Sequence, residues 1–91
     1  MATNAIWLPV DGERLAHALH EVRAKLDSAQ GEVVLDFSSV QRIDPGALRA
    51  MEHLADAADG KGTKLVLSNV SVDVYKVLKL VKLSPRFSFR T

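Results

Sequence analysis

The sequence predicts an α/β domain: a mostly parallel four-stranded sheet with three covering helices. Short β-branched runs alternate with longer stretches whose apolar residues recur at helical spacing. Capping or turn residues stand at each change from one pattern to the other. The resulting order β-α-β-α-β-α-β demands parallel strands joined by right-handed crossovers, with the helices laid on the sheet.

The first strand places Ile6, Leu8 and Val10 on one face, and Pro9, which has no N–H to give, marks an edge or a strand end. Asp11 or Gly12 then caps a helix over residues 13–28. Its stripe is Leu15, Ala18, Leu19, Val22 and Leu26, and charged residues such as Arg14, Glu21 and Lys25 lie opposite. Gln30 and Gly31 break it. The run Glu32-Val33-Val34-Leu35-Asp36-Phe37 has an unbroken apolar centre, which suits a strand covered on both faces.

A loop over 38–42 leads to Asp44-Pro45, a strong helix start: aspartate caps well, and proline at the first helical position lacks a donor that would be orphaned anyway. This second helix runs to about Asp59 with Leu48, Met51, Leu54, Ala55 and Ala58 inward, and Gly60-Lys61-Gly62 stops it. Leu65-Val66-Leu67 forms the third strand, within 63–68. Ser71 caps a third helix, with Asp73 in its first turn and Lys79 and Lys82 in its last, as the helix dipole favours. Its stripe is Val74, Val77, Leu78 and Val81. Ser84-Pro85 ends it, and residues 86–90 alternate as a last strand with Phe87 and Phe89 as its core.

Ninety-one residues fit one domain, 1–91, of 47% hydrophobic and 25% charged residues, an ordinary globular balance. Twelve Lys plus Arg against eleven Asp plus Glu leave a net charge of +1, so nothing pulls the chain generally toward nucleic acid. The absence of cysteine excludes disulfides, thiol catalysis and cysteine metal sites. No apolar run reaches the roughly 20 residues of a membrane helix, and the first residues do not read as a signal peptide. The expected compartment is the cytoplasm, without membrane insertion.

No glycine-rich phosphate loop, nucleophile elbow or convergent carboxylate pair is present, so neither an enzyme nor a cofactor is expected. Glu13, His17, His20 and Glu21 fall near one helix face, but no second element brings a further ligand, and a solvated face is the expectation rather than a metal site. From Val74 onward no residue is acidic, whereas Lys76, Lys79, Lys82, Arg86 and Arg90 are basic. That bias suits an acidic partner or anionic lipid; the plainer reading, preferred here, is helix-end charge matching and a guarded sheet edge.

Binding surfaces of open parallel sheets lie beyond the carboxyl ends of the strands. Three loops meet there: Asp11-Gly12, residues 38–44, and Asn69-Val70-Ser71. The helix start at Asp44-Pro45-Gly46 leaves backbone N–H groups for an acidic group or a phosphate of a partner, unless it is simply a capped helix end.

The stretch Val33-Val34-Leu35-Asp36-Phe37-Ser38 through Ile43-Asp44-Pro45-Gly46-Ala47-Leu48 resembles the signature of STAS domains, the anti-sigma-factor antagonist fold. The likeness extends from about Ile6 to Phe89. Asp36 and Asp44 match the family's two aspartates, Ser38 its turn serine and Leu48 its leucine. Gly46 stands where partner kinases phosphorylate the family's second serine, and Pro45 replaces the preceding hydroxyl residue. The usual switch is therefore absent, and Ser38 and Ser39 are weak alternative acceptors.

The resemblance implies a protein-interaction module that docks an ATPase-fold partner, an anti-sigma factor or kinase-like protein, through residues 38–48 and the second helix. Ser38, Ser39, Asp44, Pro45, Gly46, Ala47 and Ala50 are the expected contacts, with Ala47 and Ala50 supplying apolar surface. The third helix, with its Val74-Tyr75 pair and Lys82-Leu83, is similar to that of the STAS subunit of lipid-trafficking ABC transporters. The alternative partner is therefore that transporter's ATPase. A small ligand at the strand ends and self-association into a homodimer are further alternatives.

Overall fold

The computed structural model describes residues 5–26 and 31–90. Strands β1 (Ala5–Pro9), β2 (Glu32–Asp36), β3 (Lys64–Ser68) and β4 (Ser88–Arg90) form one sheet in chain order, every neighbouring pair parallel. Between them run α1 (Leu15–Lys25), α2 (Pro45–Lys61) and α3 (Val72–Leu80), with 3-10 turns at Gly12–Arg14 and Ser84–Arg86. Each crossover advances one strand in the same direction, so crossovers of one hand put every helix on one face. The core agrees. Leu15, Leu19 and Val22 of α1, Met51 and Leu54 of α2, and Val74 and Leu78 of α3 join Val33, Leu35, Leu65 and Leu67 of the sheet in a single cluster.

The pleat sends alternate residues to the other face. There Trp7, Val34, Val66 and Ser88 stand in one row of the register, with Val34 and Val66 buried and Trp7 half-exposed. Proline is tolerated in β1 because it is the last residue of an edge strand.

Several boundaries differ from the sequence reading for local reasons. The first helix opens with a 3-10 turn capped by the Asp11 side chain, which accepts from the Glu13 N–H at 2.9 Å. The expected end of that helix at Ser28 lies outside the described residues. α2 runs past Gly60 to Lys61 and stops at Gly62, whose φ of 66° is the left-handed cap that glycine adopts without steric cost. α3 ends at Leu80, and Lys82 turns the chain at φ 63°. Val81 thus lies beyond the helix it was expected to line and is 46% exposed. β4 begins only at Ser88, because residues Ser84–Arg86 wind into the second 3-10 turn. Phe87 is buried as expected, but Phe89, on the edge strand, is 37% exposed and meets Tyr75 edge to face at 5.1 Å.

Candidate docking surface at the carboxyl ends of the strands

The loops after β1, β2 and β3 converge, held by side-chain hydrogen bonds. Ser39 Oγ donates to the Val10 carbonyl at 2.8 Å and accepts from the Gly12 N–H at 3.2 Å, clasping the first loop to the second. Gly12 has to be glycine, since a Cβ there would lie 2.1 Å from the Ser39 carbonyl oxygen. Asp36 Oδ1 accepts from the Ser38 N–H at 3.0 Å and from Asn69 Nδ2 at 3.1 Å, joining the second loop to the third. Asn69 takes up φ 58°, a conformation that asparagine tolerates better than most residues, and its N–H reaches the Arg90 carbonyl. The Asn69 amide, then the Ser38 N–H, hold the Asp36 carboxyl below its ordinary value, because both donors favour the charged form.

At the start of α2 the helix end is largely closed by the chain's own atoms. Asp44 Oδ1 accepts from the Ala47 N–H at 2.7 Å, and the Asp44 carbonyl accepts from the Leu48 N–H. Pro45 brings no donor, so Gly46 carries the one free N–H of the first turn among the described residues. The bare amide cluster expected from Asp44-Pro45-Gly46 is therefore reduced to a single group, and the plain capping role accounts for Asp44.

The expected contact residues separate into two sets. Ser38, Ser39, Asp44, Pro45 and Gly46 are exposed. Ala47 and Ala50 are not: they are 1% and 6% exposed and belong to the core beneath α2. Their assignment as partner-facing apolar surface is corrected. The signal was present in the sequence, because Ala47, Ala50, Met51, Leu54, Ala55 and Ala58 fall on one i, i+3, i+4, i+7 stripe. Leu48 lies off that stripe and is only half-buried. With Pro45, Arg49, Glu52, Val81 and Leu83 it lines a shallow groove of about 270 Å³ between α2 and the end of α3. Leu48 packs against the core as expected, with part of its side chain left open, whereas Val81, expected inward, is exposed, and the groove arises from that difference.

Residues 2–91 match the sequence pattern of the STAS domain family. The chain belongs to that family. Over 57 residues this STAS domain is 35% identical to the intermembrane phospholipid transport system binding protein MlaB of Escherichia coli K12, and equally to that of Shigella flexneri. Those matches cover 63% of the domain and 59% of the relatives' length. A putative anti-sigma factor antagonist from Thermotoga maritima superposes with a TM-score of 0.78 at 18% identity, covering 100% of this chain and 83% of that one. The STAS domain of a SulP transporter from Vibrio cholerae does so at 0.79 and 15% identity, covering 100% and 77%. Both likenesses establish the shared fold. No helix of the described residues is long and apolar enough to cross a membrane.

Proposed function

We propose that this STAS domain is a non-catalytic docking subunit that binds the ATPase of a lipid-trafficking ABC transporter through the outer side of α2. The observation that carries the reading is the 35% identity to a phospholipid transport binding protein, MlaB. It moves the transporter role ahead of the signalling role that the STAS resemblance alone suggests first. The role belongs to the cytoplasm, where the partner meets ATP.

Docking uses the groove of Pro45, Leu48 and Val81, with Arg49 and Glu52 beside it and Asp44, Gly46 and Ser38 at the rim. Leu48 and Val81 give apolar area to bury, while Arg49 and Glu52 give direction through charge. The free Gly46 N–H is the remaining backbone donor for a partner carbonyl or carboxylate. Phosphorylation at the family's usual position does not control this contact, because Pro45 and Gly46 carry no hydroxyl.

Co-expression with a lipid-trafficking ABC ATPase of the source organism, followed by affinity isolation, tests the proposal. Wild type is expected to hold the ATPase in stoichiometric amount, and Leu48→Asp with Arg49→Glu to lose it while keeping the native circular dichroism spectrum. Retention by that double variant overturns the α2 surface. Failure of the wild type to hold the ATPase overturns the transporter role. Asp44→Lys is a poorer probe, since it removes the cap of α2 together with any contact.

A further inference from the structure

Beyond the α2 surface, the outer side of α3 carries an unusual concentration of uncovered apolar groups. Of the six large hydrophobic residues exposed among the described residues, Val72, Tyr75 and Leu80 lie on α3, and Phe89 of β4 packs against Tyr75. Val72 is 68% and Leu80 81% exposed, well above the 46% of Val81, the one other exposed valine or leucine among the described residues, and such values need a reason. Lys76 lies one helical turn from each of them, and Lys79 lies one turn from Tyr75 and from Lys76. No carboxylate follows Asp73 in the sequence. Arg86 is taken up by Asp56 and Asp59, and Arg90 by Glu32, whereas Lys76 and Lys79 have no ion-pair partner among the described residues.

Two concavities flank this face. One, of about 470 Å³, is floored by Tyr75 and Phe89 between α3 and the open edge of β4. The other, of about 460 Å³, lies at Lys76, Lys79 and Leu80. We propose that this face is a second docking surface, distinct from the α2 groove, for a protein segment in which acidic side chains flank large apolar ones. Charge complementarity sets the acidic requirement, because two unpaired lysines stand beside the apolar groups. A second copy of the chain does not meet it, since an isologous contact would bring lysine against lysine. A lipid surface fits less well than a protein segment, because concave grooves accept inserted side chains, and an aromatic pair lines the larger one.

Selection from a displayed random-peptide library on the wild-type domain tests this, with counter-selection on Lys76→Glu/Lys79→Glu and separately on Leu80→Ser. All three substitutions are at exposed positions, and circular dichroism verifies that the fold is kept. The expected result is enrichment of acidic peptides bearing Leu, Phe or Trp. Those peptides should shift amide resonances of α3 and β4, and the charge-reversal variant should bind them about tenfold or more weakly. Leu48→Asp should bind them as wild type does, which separates this surface from the α2 groove. Three results overturn the proposal: no enrichment over the variants, peptides of basic character, or resonance shifts confined to α2. Sedimentation of the wild type, but not of the charge-reversal variant, with phosphatidylglycerol vesicles would assign the face to lipid and overturn it equally.

Discussion

Replacing Gly12 by alanine forces a methyl group into backbone that cannot yield. The new Cβ would stand 2.1 Å from the Ser39 carbonyl oxygen, 2.8 Å from its carbon and 3.0 Å from Val40 Cα. No side-chain rotation relieves such a clash, so the first and second loops must part. Overpacking of this kind costs about 1–3 kcal/mol. Parting the loops also breaks the Gly12 N–H to Ser39 Oγ and Ser39 Oγ to Val10 carbonyl bonds, each contributing about 0.5–1.5 kcal/mol. Together they predict a loss of about 2–6 kcal/mol, a large part of the stability of a domain this size. Urea unfolding followed by circular dichroism should show the midpoint falling with an unchanged slope. Thermal unfolding should shift down by about 10 °C or more. Gly60→Ala is the contrasting substitution: its Cβ meets nothing within 4 Å, inside α2. It should stabilise by about 0.5–1 kcal/mol through helix propensity alone. A Gly12→Ala variant within about 0.5 kcal/mol of wild type would refute the clasp as a rigid element.

Asp44→Ala should cost about 1 kcal/mol in urea unfolding, because the Ala47 N–H at the start of α2 loses its acceptor. Leu54→Ala, at a fully buried position under α2, should cost about 2–5 kcal/mol and be read from the same transition. Asn69→Gly keeps the left-handed backbone at that position but removes the amide that donates to Asp36. The Asp36 carboxyl, followed by carbon-detected NMR titration, should then move up toward its ordinary value of 3.8. The sign follows from the lowered value. The carboxylate's contribution to stability is fully present above the ordinary value and is lost as pH falls through the depressed one. Wild type should therefore lose more stability than Asn69→Gly across that acid window, and equal losses would contradict the role given to Asn69.

Local chemistry determined much of this protein before any contact was considered. The alternation of periods, the caps at Asp11, Asp44 and Ser71, and the stop at Gly62 are statements about neighbouring residues, and the fold honours each of them. The motif around Asp36, Ser38, Asp44 and Leu48 likewise sufficed to indicate the STAS family. The direction in which small or terminal residues face was a different matter. Alanine is small enough for either side of a helix, so Ala47 and Ala50 declared themselves only when α2 settled on the sheet. The apolar stripe of α3 could be carried on to Val81 in the sequence, but the helix ends at Leu80 and leaves Val81 outside. Strand alternation placed Phe89 on the helix-covered face, yet β4 is an edge and the cover there is incomplete.

The clasp of Ser39 on Val10 and Gly12, across 29 and 27 residues of chain, has no local signature at all. Periodicity and capping act over one or two turns and can be read along the chain. Burial and cross-loop hydrogen bonds depend on which distant segment arrives opposite. For this domain, packing therefore decided which side of α2 is left exposed.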